Sequence, residues 1–121
     1  MERDAAATIF ECLASPHRLD IFRLLVRHAP GGLVAGEIGG ELGLPPTNLS
    51  FHLKGLSQAG LVRVTQEGRY QRYRAELALM TALIDYLTAE CCQGNPAQCE
   101  TPAAPACCAG PAAPKARRVR R

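Results

Sequence analysis

The run TNLSFHLKGLSQAGLVRVTQEGRYQRYRA, residues 47–75, admits few folds. Leu49, Leu53 and Leu56 fall at i, i+4 and i+7, which is one face of a helix. Gly60 closes that helix, and the pattern then changes period. LVRVTQ alternates as a strand, Glu67-Gly68 marks a turn, and RYQRYRA returns as the second strand of a hairpin. Immediately upstream, GLPP is a tight turn that separates the leucine-faced helix from whatever precedes it.

The flanking segments are helical. Residues 5–14, AAATIFECLA, place Ile9, Phe10 and Leu13 on one face. Ser15-Pro16 then fits an N-cap followed by proline at the first helical position. HRLDIFRLLVRH continues with Leu19, Phe22, Leu25 and Val26 at helical spacing until Ala29-Pro30-Gly31-Gly32 ends it. LVAGEIGGEL, residues 33–42, reads as a short helix carrying Val34, Ile38 and Leu42. Its glycines 36, 39 and 40 lower its propensity, so tertiary packing must hold it. A last helix follows in ELALMTALIDYLTAECC, with Leu77, Met80, Leu83, Ile84 and Leu87 as its apolar stripe.

This order predicts a mainly α winged helix–turn–helix with a two-stranded β wing. The folded domain is expected over residues 1–92. From 93 to 121 Pro, Ala and Gly dominate without a period, as in a flexible tail that carries cysteines and a basic end. The terminal helices hold more apolar residues than the single core of a 121-residue chain can hide. Pairing of these helices with their equivalents in a second copy, a homodimer, is expected.

Charge points to a polyanion. The net charge is +3, but KARRVRR at the end supplies five positive charges, leaving residues 1–114 at −2. Within that mildly acidic body, residues 54–74 hold Lys54, Arg63, Arg69, Arg72 and Arg74 against Glu67 alone. A basic stripe on a body of opposite sign suits a nucleic-acid edge. On the 47–59 helix, the side opposite the leucines presents Thr47, Phe51 and Lys54, flanked by Asn48 and Ser50. Side chains near the N-terminus of such a helix reach base edges in the major groove. Thr47, Asn48 and Ser50 are short hydrogen-bonding groups, and Phe51 suits a thymine methyl. Lys54, Arg69 and Arg72 are expected on phosphates, where they give affinity and register. His52 lies at the edge of the leucine face, as a packed histidine or a phosphate contact. The basic KARRVRR end is expected to add non-specific attraction to DNA.

Cysteine usage adds a second theme. The chain opens MERDAAATIF without a long apolar run, so a reducing cytoplasm and no membrane association are expected. There, clustered thiols bind metals or react more often than they form structural disulfides. Cys91 and Cys92 are adjacent, Cys99 follows, and Cys107 and Cys108 lie further on. Neighbouring α-carbons stand about 3.8 Å apart, closer than the roughly 4.4–6.8 Å of an ordinary disulfide. The pair is thus a poor disulfide with itself and a good chelate for a soft ion. Cys12, far away, reads as a packed apolar residue.

The strings LASPHRLDIFRLL and LPPTNLSFHLKGLSQAGLVRVTQEGRYQRYRA resemble the ArsR/SmtB family of dimeric metalloregulatory repressors, over residues from about 5 to 90. The resemblance implies a homodimer that sits on double-stranded operator DNA and leaves it when an inducer binds. Two sensor patterns of that family are missing. The stretch before the recognition helix, where the classical arsenic repressors carry cysteines, reads EIGGEL. The last helix, where zinc sensors carry histidines, has none, since the three histidines are His17, His28 and His52. Members with a C-terminal arsenic site place a vicinal cysteine pair at the end of the last helix and a third cysteine shortly beyond. Cys91, Cys92 and Cys99 match that arrangement.

The implied inducer is As(III) or Sb(III), soft ions satisfied by three thiolates. Zinc, with Cys107 or Cys108 as a fourth ligand, and methylated arsenicals, needing two thiolates, stay open. So does the role of Cys107-Cys108 itself. The competing readings are a thiol redox sensor or zinc-responsive repressor of the same fold, and, from another class, a thiol-rich metal-sequestering protein. No nucleophile elbow or phosphate loop is present, and no catalytic activity is expected.

Overall fold

In a computed structural model, residues 1–95 and 97 are described. Helix α1 spans Arg3–Leu13 and α2 spans Pro16–Arg27. A short strand β1, Leu33–Val34, precedes α3, Ala35–Leu42, and α4, Pro46–Gln58. Strands β2, Val62–Glu67, and β3, Tyr70–Ala75, lead into α5, Leu77–Thr88, and a single tight turn at Cys91–Gly94. The chain divides into two compact units, Met1–Met80 and a second that begins at Thr81, so the boundary falls within α5. No helix among the described residues is long and apolar enough to cross a membrane.

The sequence cues act locally as chemistry requires. Ser15 Oγ accepts a hydrogen bond from the Arg18 N–H at 3.4 Å, with Pro16 opening α2 where its missing N–H costs nothing. Leu49, Leu53 and Leu56 of α4 are all buried. Gly60, at φ 82°, ends α4 in a left-handed turn. Its N–H bonds the Ser57 carbonyl at 3.0 Å, and the Leu61 N–H bonds the Leu56 carbonyl at 3.0 Å. That bond pair is a Schellman motif, which sends the chain straight into β2. The hairpin runs in register from Val62 opposite Ala75 to Glu67 opposite Tyr70, leaving Gly68-Arg69 as a two-residue loop. Gly68 has φ 64°, the left-handed backbone a tight hairpin requires at its first loop position.

The two-stranded wing is present as β2 and β3, and a short third strand extends its sheet in the order β1-β3-β2. Other expectations are corrected. Leu33 and Val34, read as the start of a helix, are extended and pair with Tyr73 and Arg72. The reason is Gly32. Its φ of 77° turns the chain onto β3, and burial of Leu33 holds it there. The helix starts only at Ala35, where the Glu37 carboxylate accepts the Val34 N–H at 3.0 Å.

The buried face of α2 is also rotated from the expected one. Ile21, Phe22, Leu24 and Leu25 are buried, whereas Leu19 and Val26 are exposed. Apolar side chains occupy more of α2 than one face, and packing selects among them. In α1 the buried residues are Ala6, Ile9 and Cys12, while Phe10 is exposed. In α5, Leu83 is buried and Leu77, Ile84 and Leu87 are exposed.

The core gathers Ile21, Leu24, Leu25, Ile38, Leu53, Leu56 and Leu61, all fully buried. Three of its members come from α2 and two from α4, so the leucine face of α4 is committed inward. Its opposite face is left to solvent.

Candidate nucleic-acid interface and thiol pair

Helix α4 presents Thr47, Asn48, Ser50, Phe51 and Lys54 to solvent in its first nine residues. Phe51 is 65 % exposed, an unusual position for a bare aromatic ring on a helix whose other face builds the core. Pro45 precedes the helix and Pro46 opens it, and no side chain caps it. The first turn therefore keeps unpaired backbone donors beside short polar side chains.

His52 differs from these residues. It is half-buried, and its Nδ1 is fully buried with no hydrogen-bond partner among the described residues. Its ring lies 5.4 Å from that of His17 and 5.4 Å from that of Phe51, centroid to centroid. Burial holds its pKa below the ordinary histidine value, and the neighbouring Arg18 and His17 push in the same direction.

The wing arginines are not equivalent. Arg72 donates to a Glu67 carboxylate oxygen at 2.9 Å and to the Gly32 carbonyl at 3.2 Å. Its pKa is raised by that hydrogen bond and by the Glu67 charge. Arg74 donates to Thr65 Oγ1 at 2.8 Å and lies 3.7 Å from the other Glu67 oxygen. Arg63 approaches Glu76 at 3.7 Å. Arg69, at the hairpin tip, is exposed and makes no ion pair among the described residues. A single carboxylate, Glu67, thus engages two of the four wing guanidinium groups. Tyr73 is buried and Tyr70 exposed; burial raises the Tyr73 pKa, and its hydroxyl donates to Gln71 Oε1 at 3.1 Å.

One residue of this region was missed by sequence reasoning. Arg18, on α2, lies over the Phe51 ring at 5.5 Å from its centroid and against the backbone of Gly55. The signal that could have found it is Gly55 itself. A glycine inside a helix costs stability and marks a close approach.

At the far end of the described chain, Cys91 and Cys92 are half-buried with their sulfurs 3.6 Å apart. Glu90, Cys92 and Gln93 adopt left-handed backbone at φ 60°, 53° and 56°. This conformation is costly for residues with a Cβ. Cys99, the third predicted thiol, lies outside the described residues, as do Cys107, Cys108 and the basic end. Among the described residues there is no group of three or more potential metal ligands. Cys12 is buried, with its thiol 3.6 Å from the Gly55 carbonyl. Burial pushes that thiol's pKa up against the opposing pull of Arg18.

Comparison with known proteins agrees with this architecture. Residues 13–65 match the family model described as a helix-turn-helix domain. The chain is 40 % identical over 73 residues to the HTH-type transcriptional regulator CmtR of Mycobacterium tuberculosis, over 60 % of this chain and 59 % of that protein. The match thus spans about three-fifths of that relative's length. An ArsR-like transcriptional regulator from Rhodococcus superposes with a TM-score of 0.62 at 26 % identity, over 69 % of this chain and 76 % of that one. The homodimeric winged helix-turn-helix DNA-binding domain of a possible ArsR-family regulator from Mycobacterium bovis superposes at 0.57. It is 31 % identical, over 72 % of this chain and 81 % of that domain. With its strand-backed wing, its capped α2 and its leucine-faced α4, the chain belongs to the ArsR/SmtB family of winged helix–turn–helix transcriptional regulators.

Proposed function

We propose that the protein is a homodimeric, operator-binding repressor that releases DNA when trivalent arsenic or antimony binds Cys91, Cys92 and Cys99. The observation that carries the inducer reading is the 3.6 Å separation of the Cys91 and Cys92 sulfurs. With sulfur–metal bonds of about 2.3 Å, two sulfurs at that spacing subtend roughly 100° at a bound ion. That angle suits a pyramidal three-thiolate site, with Cys99 supplying the third sulfur. Left-handed backbone at Cys92 and Gln93 supports the reading, because it turns the pair out of the helical path that α5 would otherwise continue.

DNA contact is assigned to Thr47, Asn48, Ser50 and Phe51 for bases, and to His52, Lys54, Arg69 and Arg72 for phosphates. Thr47, Asn48, Ser50, Phe51 and Lys54 share the solvent side of α4, which supports their part in this assignment. Dimerisation is supported by the exposed Phe10 of α1 and the exposed Ile84 and Leu87 of α5, and by the homodimeric state of the M. bovis relative.

Two recognition helices must stand about one DNA turn apart, roughly 34–36 Å. An inducer that ties Cys99 to the pair favours a dimer in which that spacing is lost. A coupling of about 1–3 kcal/mol is typical of such a link between sites.

The test is an operator-binding titration with arsenite, zinc and peroxide in separate arms, on the full chain and on Cys91→Ser, Cys92→Ser and Cys99→Ser. Each variant is expected to bind operator and to ignore arsenite. If any two respond as the parent does, the three-thiolate site is wrong. Release by peroxide alone selects the redox reading, and release by zinc alone the zinc-responsive one.

A further inference from the structure

Base reading is usually credited to the helix that carries the reading side chains, but Phe51 is also held from outside its own helix. The only ring or cation contacts it makes among the described residues are with His52 and with Arg18 of α2. The Arg18 guanidinium carbon stands 5.5 Å from the Phe51 ring centroid, within the range of a cation–π contact. The same guanidinium lies flat on α4 at Gly55. A Cβ built there would meet three of its atoms at 3.0–3.1 Å. Arg18 Nε is buried and has no hydrogen-bond partner among the described residues. Three separate facts therefore describe one arrangement: a planar cation wedged between an exposed aromatic ring and a helix position where a methyl group would crowd it.

We infer that Arg18 is a positioning residue for DNA reading, orienting the Phe51 ring on the solvent face of α4, and that Gly55 is the opening that admits it. The inference rests on the DNA-binding reading above. A lysine cannot replace the arginine here, because the ammonium is a compact charge with no planar face to lie on the helix or the ring. An unrestrained phenylalanine has two free torsions, and fixing it beforehand removes ordering that binding would otherwise have to supply. Helix α2 thus becomes part of the reading apparatus without touching DNA.

The experiment compares Arg18→Lys, Gly55→Ala, Phe51→Ala and the double variants on two duplexes. One is a sequence that the parent protein enriches from a random pool, and the other is a scrambled duplex of equal length. Arg18→Lys keeps the charge. It is expected to lower affinity for the enriched duplex about two- to fivefold, the range of an exposed cation–π contact. Affinity for the scrambled duplex and the salt slope should stay unchanged. Gly55→Ala, which improves helix propensity while displacing the flexible end of Arg18, should reproduce that pattern with no loss of fold. In a Phe51→Ala background neither change should matter further.

Additive losses with Phe51→Ala, or equal losses on both duplexes, overturn the inference and leave the repressor reading standing. A parent protein that enriches no sequence overturns both.

Discussion

The rings of His17 and His52 stand with centroids 5.4 Å apart and planes tilted by 42°, so the first turn of α2 meets the middle of α4 through two imidazoles. Arg18 lies close enough to act on the same histidine. A basic group sandwiched between a partly buried wall, an arginine and a second imidazole resists protonation.

This relationship sets a pH dependence. Because the folded pKa of His52 lies below the unfolded value near 6.5, the unfolded chain binds the extra proton first. Stability is therefore complete above about pH 6.5 and falls as pH drops below it, until the lowered folded pKa is reached. The melting temperature should rise between pH 5 and pH 7, and His52→Gln should flatten that rise. A parent and variant with parallel profiles would assign the dependence to other groups.

Gly32 tests the strand that sequence reading overlooked. A Cβ at this position would sit inside contact distance of the Tyr73 carbonyl oxygen and at 2.8 Å from Arg74 Cγ, on a backbone with φ 77°. Gly32→Ala should destabilise the protein by about 2–4 kcal/mol, combining left-handed strain with a backbone clash. Urea unfolding gives the number directly. Gly36→Ala, where a Cβ meets nothing, is the control and should be neutral or stabilising.

The two wing arginines assigned to phosphates should separate. Among the described residues Arg69 makes no ion pair at the hairpin tip, whereas Arg72 is already bonded to Glu67 and to the Gly32 carbonyl. Arg69→Gln should weaken binding to all duplexes and flatten the salt slope by about one unit. Arg72→Gln should instead lower the melting temperature of the free protein, with a smaller change in slope. Equal slope changes would place both on the DNA.

The proposed dimerisation assigns the exposed apolar positions of α5 to the interface. Leu87 is 56 % exposed and Ile84 52 %, two large aliphatic side chains one turn apart on α5 and open to a partner. Leu87→Glu should shift the sedimentation profile from dimer to monomer and weaken operator binding at least tenfold, while leaving the circular dichroism spectrum of the monomer helical. An unchanged sedimentation profile would put the interface elsewhere.

Much of the molecule is determined by local sequence. The Ser15-Pro16 start of α2, the inward leucines of α4, the glycine stop at Gly60 and the Glu67-to-Tyr70 hairpin each follow from neighbouring residues. Period and capping are properties of a few consecutive positions, so they can be read without a partner. The solvent face of α4 follows as the side opposite the inward leucines. The vicinal thiols were equally plain, because adjacency needs no fold.

What tertiary structure decided is what depends on residues far apart in the chain. Leu33 and Val34 became a strand because Tyr73 and Arg72 offered a ladder some forty positions away. Helix α2 carries apolar residues beyond a single face, and only its packing chose Ile21 and Leu24 over Leu19 and Val26. The basic stripe, uniform by charge count, was differentiated by Glu67, which engages Arg72 and Arg74, and by Glu76, which approaches Arg63. Arg18 and Phe51 are thirty-three residues apart, and no local pattern joins a cation on one helix to a ring on another. Pairwise contacts of this kind are absent from any window of sequence, because they exist only once the backbone has brought both partners to the same place.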